Sequence, residues 1–581
     1  MNHNDGKIPI WVWAAALLIL LAQAGVAALL VLGKLPGASR NLVFQAMLGG
    51  AIAYVLLAGY VWKYHRAQLP RPPARLAVLL LVIFALALCG LQMRSLRPLL
   101  RLDYDVAAWS EPMFLMDIIK WRTGAPLYAS PEDSNSNMYS FAAPAVTYFL
   151  AKISGHPTSV VAYRWIQLCF LVAAALLAVL CVRDVLRLGA PELAESLPRV
   201  WYGFFFPAAF LFALNPQTGA FNVFLHNDPL SLLMAAACLF VLLRYLGTGG
   251  KVWLAAMVVM PALAFSVKQF HAIWAAVFAV CLLFEPPLRW KRAIVFAAAS
   301  FGLLLLTVAA SLAHWGANYR YWIFTIMGQH TLSVEKLIWR FSEAAPFLLP
   351  GVLGGWYFLR GERREKFLGL WCGWLAMILG GLYTSSITYS PTHLAAAALV
   401  GLSLGLAALA AIWPSGAPPN NGDGNWLKLA SCVVGVLLAF GAFGVLTPGE
   451  YPVTPDLHRY VSDIEREFAG VPMQRVLLDS GEWYYLRHDF LARDRLPIFV
   501  THQRPHWGLL DRIRQKEYDR ILAHVMSNGK LAFDLGSSRG VEQALKQNYH
   551  EVRRIAAYGA KDDWRYRDIF LTEVIVFEPN P

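Results

Sequence analysis

Residues 99–128 read LLRLDYDVAAWSEPMFLMDIIKWRTGAPLY and separate two membrane-length apolar runs. The segment leaves the apolar run 76–93 and opens with Arg101-Leu102-Asp103-Tyr104-Asp105. Two acids this close to a membrane surface cost solvation energy unless they are paired or used. Next, Trp109, Met113, Met116, Ile119 and Trp121 recur on helical spacing, interleaved with Glu111, Asp117 and Lys120. That pattern predicts a helix lying in the membrane interface. Gly124-Ala125-Pro126-Leu127-Tyr128 closes the segment as a turn ending in an aromatic, and Tyr139, Pro144 and Tyr148 lead back into the membrane.

The chain around this loop has 581 residues, 57% hydrophobic and 15% charged. Soluble proteins are roughly 45–50% apolar and roughly 25% charged. The mean hydropathy of +0.47 points the same way. No single soluble domain hides this much apolar surface, which excludes an ordinary cytosolic enzyme, and a disordered chain would be apolar-poor. The class is a polytopic α-helical membrane protein. The net charge of +13 fits the excess of Lys and Arg on cytoplasmic loops, and no long basic run points to nucleic acid. The seven Cys form no CxxC pair, and all lie in or beside apolar stretches. They read as small buried hydrophobes rather than a disulfide framework.

A hydrocarbon core about 30 Å thick needs roughly 20 apolar residues as helix, and that rule gives about thirteen spans. They fall near 8–32, 42–62, 76–93, 158–182, 200–214, 229–246, 252–267, 271–284, 293–313, 345–359, 367–383, 392–413 and 427–446. The first is too long for a signal-peptide core and reads as an uncleaved span. Basic residues cluster in the loops after the second span (Lys63, Arg66, Arg71, Arg75), the fourth (Arg183, Arg187, Arg199), the eighth (Arg289, Lys291, Arg292) and the tenth (Arg360, Arg363, Arg364, Lys366). By the positive-inside rule that side is the cytoplasm. The alternation then places 94–157, 215–228, 268–271, 314–344, 384–391 and 447–581 outside. Residues 1–446 form the membrane module, with 94–157 its first large outer loop. In 447–581 the Val-, Ile- and Phe-rich runs Arg475–Leu478, Pro497–Val500 and Thr572–Phe577 alternate with polar stretches such as 541–555 that suit helices. This predicts a small extracytoplasmic α/β domain.

The polar groups gather on the predicted outer face. Asp103 and Asp105 suit a helix N-cap beside Arg101, or a general base that takes a proton from an acceptor hydroxyl or amine. His226-Asn227-Asp228-Pro229 is a good helix start, and it also offers His226 and Asn227 as hydrogen-bonding groups for a sugar. Lys268, in Lys268-Gln269-Phe270-His271, either snorkels or pairs with a phosphate as a point charge. Tyr389 and His393 sit near the outer rim. In 314–344, Arg320 is a candidate phosphate ligand, and the Trp and Tyr residues mark an aromatic belt. No HExxH, P-loop or dinucleotide fingerprint is present. Asp103-Tyr104-Asp105 has the form of a pair that holds a divalent cation such as Mg or Mn, but three residues make no metal site on their own.

Four of these features together resemble the GT-C superfamily of integral-membrane glycosyltransferases, nearest to bacterial relatives of protein O-mannosyltransferases and of the aminoarabinose transferase. They are Asp103-Tyr104-Asp105 followed by Gly124–Tyr128, the Asn227-Asp228-Pro229 entry into an apolar helix, Lys268-Gln269 after the next span, and the C-terminal outer domain. The resemblance implies a polyprenyl-phosphate sugar as donor, an extracytoplasmic acceptor (lipid, glycan or protein), the cytoplasmic (inner) membrane as location, and inverting attack with an outer-loop Asp as base. Asp105 takes the place of that acid. Many relatives follow it with Glu where this chain has Val106, which brings Glu111 or Asp103 forward as a substitute carboxylate. Lys268, His271 and Arg320 would face the donor phosphate. Tyr128, Tyr139, His226, Asn227, Asp228, Tyr389 and His393 would face sugar or acceptor. A polyprenyl-diphosphate-dependent ligase or polymerase is the enzymatic alternative. A transporter or a scaffold is the non-enzymatic one.

Overall fold

A computed structural model describes residue 14 and residues 74–105, 111–133, 135–215, 223–285, 289–326, 328, 332–361, 364–388, 391–412, 455–478, 482–494, 507–525, 531, 540–556 and 573–581. The expected spans near 42–62 and 427–446, and all but one residue of that near 8–32, lie outside these. The helices of the N-terminal part are α1 (Ala74–Leu96), α2 (Glu111–Thr123), α3 (Ala142–Ile153), α4 (Val160–Gly189), α5 (Pro191–Ser196), α6 (Val200–Ala213) and α7 (Asn227–Thr248). After them come α8 (Lys251–Val267), α9 (Ile273–Leu283), α10 (Arg289–Arg320), α11 (Val334–Leu359), α12 (Arg364–Thr388) and α13 (Ala395–Ile412). Among the described residues, five helical stretches are long and apolar enough to cross a membrane: Val160–Gly189, Asn227–Thr248, Trp290–Thr325, Arg364–Ile387 and Ala395–Ile412. Shorter apolar helices fill the rest of the bundle.

Small residues place α13 at the centre. Every residue from Ala395 to Ala411 is buried, and the run is made of Ala, Gly, Leu, Val and one Ser. Without bulky side chains, neighbouring backbones approach closely. A Cβ on Gly354 of α11 would lie 2.5 Å from the Leu404 carbonyl oxygen, and one on Gly351 would lie 2.6 Å from the Gly401 Cα. Helix α10 is the opposite case. Its Ile294, Val295, Leu305 and Leu306 are exposed, as lipid-facing side chains are. Gly316, at φ +67°, breaks its regular path, a backbone conformation that glycine adopts at little cost.

Charge sorts the two ends of the bundle. At one end, Asp184 of α4 faces Arg183, Arg187 and, at 3.1 Å, Arg244 of α7. There the Tyr245 hydroxyl donates to Glu285 at 2.6 Å, Arg292 pairs with the same carboxylate, and Lys366 donates to the Leu246 carbonyl. Basic residues from three of the four positive loops thus meet on one side. The other end carries Asp105, His226, Asp228, Lys268 and His393.

Helix α2 departs from expectation. An interfacial helix keeps its polar face in water. Here Glu111, Asp117 and Lys120 are buried along with Phe114, Leu115, Met116, Ile118 and Ile119. The helix is an internal plug, because Arg164 meets Glu111 and the loop that follows the helix meets Asp117 and Lys120.

The C-terminal part holds α14 (Pro455–Phe468), β1 (Val476–Leu478), α15 (Trp483–Arg487), α16 (Trp507–Arg514), β2 (Arg520–Val525), α17 (Val541–Asn548), β3 (Tyr549–Ala556) and β4 (Glu573–Pro579). The strands make one sheet in the order β1-β2-β4-β3, with β1 parallel to β2 and the other pairs antiparallel. Strand alternation gives it two apolar faces. Leu477, Ile521, Ala523, Ile575 and Phe577 pack with Leu509, Ile513, Val541 and Leu545 of α16 and α17. Leu478, Leu522, Val574 and Val576 point the other way and join the main core with Tyr460, Ile464 and Phe468 of α14. Strands β1 and β4 fall on runs anticipated from composition, while Pro497–Val500 lies outside the described residues. The stretch 541–555, expected as one helix, is helical only to Asn548 and continues as β3.

Candidate active site

The site begins where α1 ends. The Arg164 side chain, near the start of α4, is fully buried and reaches back to the arm that follows α1. Its Nη1 donates to the carbonyls of Leu99 at 2.8 Å and Leu102 at 2.6 Å, and its Nη2 donates to that of Tyr104 at 2.6 Å. Nε and Nη2 also hold the two Glu111 carboxylate oxygens at 2.8 and 2.6 Å. Glu111 Oε1 in turn accepts the Leu225 N–H at 3.1 Å, just ahead of His226.

Asp105 ends the arm and is 4% exposed. Its carboxylate accepts the Trp483 N–H at 2.7 Å and the Glu482 N–H at 3.1 Å, where α15 begins. The acid was expected to cap a helix beside Arg101; its carboxylate instead holds backbone N–H groups 377 and 378 positions away. Tyr104 packs edge-on against Trp483, and the Arg487 guanidinium lies over both rings at 5.2 and 5.0 Å. Asp103 is half-exposed and pairs with Arg487 at 3.5 Å. Farther along the outer loop, Asn135 donates to the Ala492 carbonyl at 2.7 Å, Asp133 pairs with Arg493 at 2.8 Å, and Arg512 donates to the Glu132 carbonyl. The C-terminal part covers the loop at both ends.

The second half of the site lies where α7 starts. Helix α7 begins at Asn227, with His226 in the N-cap position. Lys268, at the end of α8, holds Asp228 Oδ1 at 2.6 Å, and both are almost fully buried. His226 Nδ1 lies 3.3 Å from Asp228 Oδ2 and 3.3 Å from the Asp228 N–H. A neutral ring makes one of these bonds at a time, according to its tautomer. Ser231 is 2.5 Å from His271 Nε2, and the Phe270 ring stands edge-on to His393 at 5.4 Å. Gln269 donates to the Met138 carbonyl at 2.9 Å, which ties this junction to the outer loop. Tyr139 stacks on Phe114, and both rings meet His226. Both side-chain polar atoms of Asn227 and the Nδ1 atoms of His271 and His393 are buried without a hydrogen-bond partner among the described residues. Such atoms carry a desolvation cost that a polar ligand removes.

No protein-family model and no curated protein sequence matches the chain. Solved structures do. Among the similar ones are ArnT from Cupriavidus metallidurans bound to undecaprenyl phosphate, at 13% identity and a TM-score of 0.50, which covers 85% of this chain and 97% of that one. The oligosaccharyltransferase of Archaeoglobus fulgidus matches at 11% identity and a TM-score of 0.49, over 82% of this chain and 73% of that one. The chain has the GT-C fold.

Within the GT-C fold the anticipated residues separate into groups. Arg164 and Glu111 join the arm that ends at Asp105 to the loop before His226, Asn227 and Asp228, and Lys268, His271 and His393 reach that loop and α7 through Asp228, Ser231 and Phe270. Tyr139 borders the cluster. Tyr128 is buried in a separate apolar group with Leu127, Tyr319, Trp322 and Ile323, and its hydroxyl donates to the Tyr139 carbonyl at 3.2 Å. Arg320 is exposed at the end of α10. Tyr389 lies outside the described residues. Among the described residues, no three His, Cys, Asp or Glu side chains form a group suited to a metal ion. Asp103 and Asp105 engage different partners, so the pair does not fit a divalent cation.

Two buried cations escaped the sequence reading. Arg164 reads as one charge at the start of an apolar span. Lys120 reads as the solvated face of α2. In the fold, Lys120 donates to the carbonyls of Leu127 and Asn135, both at 2.8 Å, and to the Ser136 hydroxyl at 3.0 Å. Burial pulls its ammonium down to about 8, against the opposing charges of Asp117 and Asp133. The only sequence signal was a Lys among residues otherwise suited to a core.

Burial, helped by the positive charge of Lys268, holds the imidazoles of His226 and His393 below their ordinary range, with Asp228 opposing. A base whose folded value is depressed gives full stability above its unfolded value, near 6.5, and loses it as pH falls below that. The melting temperature of the wild type should therefore drop between pH 7 and pH 5, and His393→Gln should flatten part of that drop. Parallel melting curves of wild type and variant would remove His393 from the account.

Proposed function

We propose that the protein is a glycosyltransferase that moves a sugar from a polyprenyl-phosphate donor to an extracytoplasmic acceptor. The observation that carries this reading is the joining, by one buried ion pair, of an outer-loop carboxylate arm to a buried Lys–Asp–His cluster in a chain with the GT-C fold. Support also comes from the bound undecaprenyl phosphate of the similar ArnT structure. Asp105 is the base. Its carboxylate ends the outer-loop arm and is oriented by the Glu482 and Trp483 N–H groups, and a carboxylate so placed can take a proton from an acceptor hydroxyl. As the acceptor oxygen attacks the anomeric carbon, its proton passes to Asp105. The anomeric C–O bond to phosphate breaks from the opposite face, and its electron pair leaves with the lipid phosphate. Attack from the opposite face inverts the anomeric centre. Lys268 offsets the charge that develops on that phosphate, and the neutral His271, His393 and Asn227 hydrogen-bond the sugar–phosphate head. Glu111, fully engaged with Arg164, holds the arm in place.

In this reading the active site and residues 447–581, a separate α/β unit beside the membrane module 1–446, face the extracytoplasmic side of the inner membrane. The basic end of the bundle faces the cytoplasm. The test is transfer of radiolabelled sugar by purified protein in detergent, from a panel of polyprenyl-phosphate sugars to an envelope extract. Label should move to acceptor from at least one of these donors. Transfer only from a diphosphate-linked glycan would favour the ligase or polymerase alternative, and no transfer with any donor would sink the enzymatic reading.

A further inference from the structure

We infer that Arg164 is a positioning residue that sets the spacing between the Asp105 arm and the His226–Asp228–Lys268 cluster. The inference rests on the proposed role of Asp105 as base. A guanidinium has five N–H donors in a rigid plane. Those of Arg164 meet five acceptors: the carbonyls of Leu99, Leu102 and Tyr104 and the two oxygens of Glu111, all within 2.8 Å. Three of the five fix the backbone of the arm up to the residue before Asp105. The remaining two hold Glu111, whose Oε1 fixes the Leu225 N–H one residue before His226. The Arg164 guanidinium also lies 5.6 Å from the centre of the Phe224 ring, in that same loop. Arg164 therefore grips both reacting halves of the site without touching either end of the proposed chemistry.

Stability and geometry separate experimentally. Breaking a buried pair by removing one partner is strongly destabilising, whereas replacing both partners with apolar residues of similar volume is often neutral. Arg164→Met combined with Glu111→Leu removes the orphan charge but leaves the carbonyls of Leu99, Leu102 and Tyr104 and the Leu225 N–H without these partners, so it should melt below the wild type, above Arg164→Met alone, and turn over poorly. Arg164→Lys keeps a charge opposite Glu111 but brings three donors to five acceptors. A displacement of about 1 Å at a reacting group lowers turnover on the order of 100-fold. Both variants should show that fall in kcat, with KM for the polyprenyl-phosphate sugar within about twofold of wild type, because uniform binding is untouched. Undecaprenyl phosphate should raise the melting temperature of wild type and variants alike.

A folded double variant or Arg164→Lys with wild-type kcat overturns the inference. A loss confined to KM does so too, as does failure of both variants to fold, since the pair would then have no role separable from folding. An inactive wild type would instead count against the proposed reaction, and full activity of Asp105→Asn against the base.

Discussion

Asp105→Asn should lower sugar transfer by roughly 100- to 10,000-fold, the usual contribution of a positioned general base. The amide has no basic oxygen for the acceptor proton. It also meets the Trp483 and Glu482 N–H groups with one acceptor atom where the carboxylate has two, so one of those donors faces an amide NH2. The variant should therefore hold the C-terminal part less firmly as well as react slowly, and its melting curve must be recorded beside its rate. Asp103→Asn is the control. Asp103 is half-exposed and its pair with Arg487 is at the surface, where such pairs contribute about 0–1 kcal/mol. Its loss should cost less than roughly tenfold in rate if it is not the base. Equal losses from the two substitutions, or intact transfer by a folded Asp105→Asn, would remove Asp105 from the mechanism.

Lys268→Met should produce the second large effect. It leaves the Asp228 carboxylate buried with no cation at 2.6 Å, a change that costs about 3–5 kcal/mol. Adding Asp228→Asn removes the orphan charge and should recover most of the melting temperature. If Lys268 offsets charge on the departing phosphate, transfer stays low in this double variant although the fold has returned. Recovery of both together would make the pair purely structural. That outcome would return Lys268 to the bland role its sequence position also allows.

Apolar run length sufficed to locate the five described helices long and apolar enough to cross a membrane, because burial against lipid leaves few alternatives for a run of that length. It said less about what is polar. Helix α2 was misplaced because its charges are paired inside the protein rather than solvated: Arg164 lies 53 positions from Glu111, and Lys120 is held by the loop that follows the helix. A charge beside an apolar run looks the same in sequence whether it reaches water or a buried carboxylate. Strand β3 was taken for helix because it is an edge of the sheet, where the charges of Glu551, Arg553 and Arg554 mask the apolar alternation. Helix α3 was missed because its twelve residues fall short of a bilayer. The cluster residues were found singly, since each carries a functional group at the predicted outer face. Their convergence, and the guanidinium that joins them to the arm, depends on contacts across long separations.

The contact between Asp105 and the start of α15 also bears on the order in which this molecule is made. The two partners are more than 370 positions apart. A ribosome adding on the order of 5–20 residues per second needs tens of seconds to cover that interval. Throughout it, the acid stands without the N–H groups that orient it, however complete the bundle beneath. A nascent or prematurely ended chain would embed in the bilayer yet, on the proposed reaction, remain silent toward the donor. If Asp105 is the base, competence would arrive only once the segment around Trp483 has been made, so that a late stretch of the chain certifies an early one.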